Sequence, residues 1–343
     1  MMRAAFCSAA RVIELRDVPS PEPAAGDVVV RLRACGICGS DLHWFSGHAR
    51  PPRVCPGHEM AGEIAALGRQ VEGWHEGDRV AIEPMRVCGV CRYCRAQTPQ
   101  LCVSLRIFGM HIDGGFAEEI AVPATALFAV PAQLDWPVAA LAEPLAVAVH
   151  AARLAAIAAG HCVLVLGAGA IGLLSVLAAR AAGASEVWIA ARYAHQAAQA
   201  RGLGATRVFE TTAGADAERA ALAAERGVDV VIETVGGDAD TLADAVRCVR
   251  PAGTVAVLGV FNASPALPAT TLLVKEARLV GSMMYDRRGT RVDFATAIDM
   301  LAAAAPRVAP LITQRFALTD VQRAFETAAD KRSGAVKVCI TAA

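Results

Sequence analysis

Cys88, Cys91, Cys94 and Cys102 fall within 15 residues, spaced C-x2-C-x2-C-x7-C. Loops this short let four thiolates reach one tetrahedral Zn²⁺ at ~2.3 Å, and a closed shell of four sulfurs leaves no coordination position for a reactant. The spacing therefore predicts a structural zinc that staples a loop. An iron–sulfur cluster uses the same ligands, but no redox-partner motif accompanies these four. The remaining reading, free or disulfide-linked thiols, is disfavoured in a chain with eleven cysteines, an odd number, and no visible signal peptide.

Metal-capable side chains recur in Cys35-Gly36-Ile37-Cys38-Gly39-Ser40-Asp41-Leu42-His43 and in Gly57-His58-Glu59, with Glu143 a further candidate. Singly each is ordinary: Gly-His-Glu reads as a turn with a solvated carboxylate, and a lone cysteine as a small core residue. Together, one Cys, one His and one or two Glu make an open N/S/O site with water in the last position, the composition of a catalytic zinc.

A third constellation is Val163-Leu164-Val165-Leu166 running into Gly167-Ala168-Gly169-Ala170-Ile171-Gly172. A G-x-G-x-x-G turn between strand and helix predicts dinucleotide binding. Gly167 makes the tight turn, Gly169 lets backbone approach the pyrophosphate, and Gly172 allows close helix packing. The helix N-terminus at Ala170 and Ile171 then offers N–H donors to the phosphates. The next strand ends at Ala191 and Arg192, where an acid would select NAD. Without that carboxylate a 2′-phosphate is not repelled, and a guanidinium can pair with it. NADP(H) is thus expected in preference to NAD(H), with His195 an additional positive group below its pKa. The alternative is an arginine stacked on adenine in an NAD enzyme.

These groups need two kinds of scaffold. The first ~130 residues read as short strands broken by Gly and Pro, at 27–34, 62–68, 78–82 and 115–122, an antiparallel texture. From about residue 136, apolar strands alternate with Ala-rich helices. Strands are expected at 163–166, 187–190, 207–209, 228–232, 254–258 and 278–280, with helices at 170–181, 194–203 and 238–249, which predicts a parallel sheet covered on both faces. A further helix is expected at 292–304.

The length of 343 residues fits about two domains. With 55% hydrophobic and 19% charged residues, the chain holds enough apolar material for large cores. Its 33 basic and 33 acidic side chains cancel, which removes the electrostatic footprint of a nucleic-acid binder. Two uncharged runs do not read as membrane spans: 162–179, with Gly167, Gly169 and Gly172 in mid-run, reads as strand, turn and helix, and 251–274, broken by Pro, Gly and Asn, cannot be one helix. A cytoplasmic protein without membrane or nucleic-acid partners is the expectation.

In order and spacing, Cys38–His43, Gly57-His58-Glu59, the Cys88–Cys102 lobe, Gly114-Gly115-Phe116-Ala117-Glu118, Glu143-Pro144-Leu145, Gly167–Gly172 and Gly227–Gly236 resemble the zinc-dependent medium-chain dehydrogenase/reductases over nearly the whole chain. Glu143–His150 resembles their polyol branch: sorbitol, L-idonate and butanediol dehydrogenases, with threonine dehydrogenase as a neighbour. The resemblance implies a GroES-like β catalytic domain over 1–146, a doubly wound parallel Rossmann domain over 147–285, and a return segment, 286–343, completing the first. It implies two zinc ions per chain. Cys38, His58 and Glu59 would ligate the catalytic ion, Glu143 would sit at its water or exchange with Glu59, and Cys88, Cys91, Cys94 and Cys102 would hold the other. Ser40 and His43 would form a proton relay. Cys35 is not expected to bind metal. The activity implied is hydride transfer between a secondary alcohol or polyol and NADP(H), in a homotetramer or a dimer. A threonine or amino-alcohol dehydrogenase using NAD(H) and, from other classes, a zinc-free reductase or a non-catalytic zinc protein are the alternatives. One departure stands out: Met284 occupies the place of an arginine that contacts polyol in sorbitol dehydrogenases.

Overall fold

The computed structural model describes residues 1–210, 227–288 and 292–342. The chain divides into two compact units, Met1–Glu143 with Asp286–Ala343, and Pro144–Tyr285.

The first unit is built on a mainly antiparallel sheet. Across it run Ile312–Ala317, Lys337–Thr341, Asp27–Gly36, Glu59–Leu67, Arg79–Ile82 and Leu127–Ala129, and Glu119–Pro123 pairs with Asp27–Gly36 off that path. Asp27–Gly36 is central because it reads apolar at nearly every position, with Val28, Val29, Val30, Leu32, Ala34 and Cys35 all buried. Lys337–Thr341, from the end of the chain, pairs antiparallel beside it, with Cys339 opposite Gly36. The helix Val321–Ala329 buries Val321, Ala324, Phe325 and Ala328, the i, i+3, i+4, i+7 stripe of a core-facing helix. Phe325 packs against Trp44, Phe45 and Phe116 with ring centroids 5.2–5.3 Å apart. The return segment therefore forms part of the floor beneath the helix Gly39–Phe45.

The strand expected at 115–122 begins instead at Glu119. Residues 114–116 are held as a loop: the N–H groups of Gly114, Gly115 and Phe116 donate to the carbonyls of Cys55, Gly57 and Pro56 at 2.7–2.9 Å. A Cβ on Gly114 would stand 2.2 Å from the Gly57 oxygen, so this contact depends on glycine. It fixes the turn that carries His58.

The second unit is a parallel sheet ordered Arg207–Glu210, Glu186–Ala191, Cys162–Leu166, Val228–Glu233, Val249–Val257, Arg278–Gly281. The helices Ala170–Ala181 and Ala194–Leu203 match the expected bounds. The helix expected at 238–249 is shorter, Thr241–Cys248, because Val249 already pairs with Val228 in the sheet. In chain order the strands run 3-2-1-4-5-6, the doubly wound order, whose switch point lies between Cys162–Leu166 and Val228–Glu233. The uncharged run 162–179 is strand, turn and helix as expected, and 251–274 is not one helix: it holds the end of the strand Val249–Val257, a loop and the short helix Ala269–Val274. Two helical stretches, Trp136–Leu154 and Asp293–Leu311, have the length and apolar composition of a span. The first is 78% buried within the protein, as a core helix is.

Candidate active site

Strand register brings the first cluster together. Gly36 faces Glu59 across the Asp27–Gly36/Glu59–Leu67 pair, and a Cβ on Gly36 would lie 2.0 Å from Glu59 Oε2, so only glycine leaves room for the carboxylate. Two residues on, Cys38 caps the helix Gly39–Phe45, its N–H donating to Asp41 Oδ2 at 2.9 Å. Ligand atoms of Cys38, His58 and Glu59 all lie within 4.8 Å of one another. His58 is buried, its Nδ1 has no hydrogen-bond partner among the described residues, and Asp41 Oδ1 stands 3.9 Å from it. An orphaned buried imidazole nitrogen beside a thiol and a carboxylate is unfavourable unless a metal or water completes it. The residues fit a zinc ion with one position left open.

Charge is concentrated here. Burial drives the Glu143 carboxyl up to about 7; His58 pulls it down and Glu59 pushes it up further. Burial likewise raises Asp41, against the pull of His58 and the Cys38 N–H. For His58, burial acts to lower the pKa, but the charges of Cys38 and Asp41 outweigh it and hold the imidazole well above its ordinary value. Cys35 is fully buried beside this group, and burial lifts its thiol far above the ordinary range. Its sulfur is outside the ligand cluster.

Ser40 and His43 sit one turn apart on the helix Gly39–Phe45, hence on one face. Ser40 Oγ is buried with no hydrogen-bond partner among the described residues, and His43 is half-buried. An unpaired hydroxyl next to a half-exposed imidazole can accept a proton and pass it outward.

Two residues of this site were not singled out by the sequence. Asp41 lay in plain view inside the Cys38–His43 motif, without a signal that its carboxylate faces His58. Lys337 had no local signal at all. It is 3% exposed, and its Nζ donates to Glu59 Oε1 and Oε2 at 2.6 and 2.7 Å and to the Ile37 carbonyl at 3.1 Å.

The four-cysteine lobe is closed at its base by the short pair Met85–Arg86 and Arg106–Ile107. Its sulfurs lie 3.6 Å apart for Cys91–Cys94 and Cys88–Cys102, and 4.0 Å apart for Cys88–Cys94. Four sulfurs at ~2.3 Å from a tetrahedral centre stand ~3.8 Å from one another, so the spacing fits zinc. A disulfide needs ~2.05 Å. The N–H groups of Cys88 and Ser104 point at Cys102 Sγ, and that of Cys91 at Cys88 Sγ, all at 3.4 Å. Backbone N–H donors hold the Cys91 thiol down at about 6, ready to bind metal as thiolate.

In the second unit Gly167 takes φ +98°, and a Cβ on Gly172 would lie 1.9 Å from the Gly167 oxygen. At Gly169, among the described residues, nothing lies within 4 Å of a Cβ position. The turn is tight where it meets protein and open where a pyrophosphate would lie, over the free N–H groups of Ala170 and Ile171. Ala191 is buried; Arg192 is exposed, its guanidinium 5.7 Å from the Tyr193 ring, and His195 stacks on that ring at 5.6 Å.

The chain matches the alcohol dehydrogenase GroES-like domain over residues 24–132 and the zinc-binding dehydrogenase domain over 170–303. It is 37% identical to the L-threonine 3-dehydrogenase of Streptomyces avermitilis, covering 94% of each chain. It is 33% identical to the L-idonate 5-dehydrogenase of Vitis vinifera, covering 98% of this chain and 93% of the relative. A zinc-binding dehydrogenase from Sinorhizobium meliloti, solved bound to NADP, superposes with a TM-score of 0.88 at 34% identity over 99% of both chains. Relatives this similar over full length remove the readings as a zinc-free reductase and as a non-catalytic zinc protein. The chain belongs to the zinc-dependent medium-chain dehydrogenase/reductase family, and it is an oxidoreductase of the alcohol dehydrogenase type.

Proposed function

We propose that this enzyme oxidises a secondary alcohol or polyol to a ketone with NADP⁺, and runs the reverse reduction with NADPH. The observation that carries this is the convergence of Cys38, His58 and Glu59 within 4.8 Å on a chain that also holds the Gly167–Gly172 turn. We assign residues 1–146 and 286–343 to catalysis and 147–285 to the cofactor. Cys38, His58 and Glu59 hold the catalytic zinc, with Glu143 as the alternate donor to Glu59; Cys88, Cys91, Cys94 and Cys102 hold the structural one.

When bound, zinc supplies the Lewis acid and the nicotinamide the hydride acceptor, the two functions that oxidation of an alcohol requires. Ser40 Oγ takes the hydroxyl proton, and His43 carries it towards solvent; such a relay contributes ~10²–10⁴-fold. Asp41, its Oδ1 3.9 Å from His58 Nδ1, places a negative charge beside the imidazole. In the second unit, Gly167, Gly169 and Gly172 with the N–H groups of Ala170 and Ile171 seat the pyrophosphate, and Arg192, past Ala191, pairs with the 2′-phosphate. NADP bound to the Sinorhizobium relative supports that preference.

Met284 is half-buried with φ +54°. An apolar side chain there favours substrates less hydroxylated than sorbitol. A second reading, an amino-alcohol dehydrogenase using NAD(H), is favoured by the 37% identity to an L-threonine 3-dehydrogenase. Initial rates over a panel of secondary alcohols, polyols, L-threonine and amino alcohols, with each cofactor, separate the two. No turnover with any of them overturns both.

We read the protein as cytoplasmic and as a homotetramer, with a dimer as the alternative. Leu273 and Val274, 76% and 77% exposed just before the edge strand Arg278–Gly281, give that edge an apolar margin that a second copy would cover. A monomeric mass by light scattering at micromolar concentration overturns this.

A further inference from the structure

Glu233 ends the strand Val228–Glu233 and is fully buried, yet it has no part in the chemistry above. Its Oε1 accepts three hydrogen bonds, from the N–H groups of Val235 at 2.7 Å and Gly236 at 3.0 Å and from Thr241 Oγ1 at 2.7 Å. Its backbone carbonyl accepts from Leu258 and Gly259 at 2.9 and 3.1 Å. Oε2 is buried without a hydrogen-bond partner among the described residues, and a Cβ on Gly259 would stand 2.3 Å from it. One residue thus ties three pieces together, the first two through its carboxylate and the third through its backbone carbonyl, with Oε2 packed under Gly259. These are the turn after its own strand, where Gly236 and Gly237 take φ +59° and +61°, the start of the helix Thr241–Cys248, and the turn after Val249–Val257. The adjacent Thr234 extends the network to the Gly167 turn: its N–H and Oγ1 donate to the Leu166 carbonyl at 3.0 and 2.8 Å.

The position of this network in the sheet indicates what it serves. Leu166 and Glu233 are register partners at the carboxyl ends of the two strands flanking the switch point. A dinucleotide binds across that crevice, with its adenosine half towards the second strand, here Glu186–Ala191, and its pyrophosphate at the glycine turn. The remaining half must then extend past the ends of Val228–Glu233 and Val249–Val257, over the two turns that Glu233 ties.

We propose that Glu233 is a positioning residue for the nicotinamide half of the cofactor: it sets the two turns against which that half is held and does not contribute to adenosine affinity. The inference rests on the dinucleotide reading given above.

Calorimetry on the zinc-loaded enzyme tests it with two ligands, NADPH and 2′-phospho-ADP-ribose, which lacks only the nicotinamide. Glu233→Ala is expected to weaken NADPH binding about tenfold, the size of one net hydrogen bond. Binding of the fragment is expected to change less than about twofold, while kcat at saturating cofactor falls about 10²-fold, as misplacement of a reacting ring does. Glu233→Gln keeps an acceptor at Oε1 and should restore most of both. Gly259→Ala, which drives a methyl into Oε2, should reproduce the selective loss, and it carries the test if Glu233→Ala does not fold. Equal weakening of both ligands, or a lowered Tm with the ligand ratio unchanged, overturns the proposal. If the native enzyme binds neither ligand, the dinucleotide reading fails first, and that outcome is distinct.

Discussion

Lys337 and Glu59, 278 positions apart in the sequence, form a buried ion pair in which one ammonium reaches both carboxylate oxygens at 2.6 and 2.7 Å. Burial acts to lower the lysine's pKa, but the Glu59 charge outweighs it and leaves the ammonium above its ordinary value. A base so raised contributes stability that is complete below the unfolded value of 10.5 and is lost only as pH rises through the higher folded one. Lys337→Met should therefore cost stability throughout the neutral range, by about 3–5 kcal/mol in zinc-free protein, because Glu59 is left buried and uncompensated. Zinc would replace the missing positive charge, so saturating zinc should narrow the Tm gap between variant and native enzyme. A gap that zinc leaves unchanged removes Glu59 from the ligand set.

If the chain holds two zinc ions as proposed, the two should differ in lability. A chelator should strip the open Cys38–His58–Glu59 site first, ending activity while far-UV circular dichroism persists. Cys38→Ser and His58→Ala should abolish turnover at nearly native Tm, whereas Cys94→Ser should destabilise or disassemble the protein. Fresh enzyme with no zinc, or with a single ion, contradicts the reading; so does equal loss of Tm in both groups of variants.

Cofactor choice should follow Arg192. A guanidinium–phosphate pair at an exposed site is worth ~1–3 kcal/mol at most, roughly a 5- to 150-fold preference for NADP⁺. Ala191→Asp combined with Arg192→Ala should reverse it. A higher kcat/KM with NAD⁺ in the unmodified enzyme would show that Arg192 does not read the 2′-phosphate.

Glu83 and Arg287 also pair, but with the opposite balance. Burial pushes the Glu83 carboxyl above its ordinary 4.5, and Arg287, itself about one-third exposed, offsets this only in part. An acid so raised keeps its proton in the folded state after the unfolded chain has lost it, so stability falls as pH rises above 4.5. Glu83→Gln should flatten that slope and change stability near pH 7 by no more than about 1 kcal/mol, since the freed guanidinium can reach water. A loss of several kcal/mol on urea denaturation at pH 7 would mean that the pair is net stabilising.

The candidate site was legible where its residues are neighbours in sequence. Cys88, Cys91, Cys94 and Cys102 lie on one short lobe, and Gly167, Gly169 and Gly172 on one turn, so spacing alone brings each group together. The apolar strands and Ala-rich helices of the second unit were legible for the same reason: a parallel sheet buried on both faces imposes its pattern locally. The strand that begins at Glu119 and not at 115 was not legible, because backbone contacts to the Gly57 turn override local propensity there. Nor were the long-range partners. Lys337 reaches Glu59 only because the last strand pairs beside Asp27–Gly36, and Glu233 gathers two turns only because parallel strands end at one edge. A sequence carries periodicity and spacing, which act over a few residues; register between distant strands, and so the charges that meet in a buried site, is decided by tertiary packing.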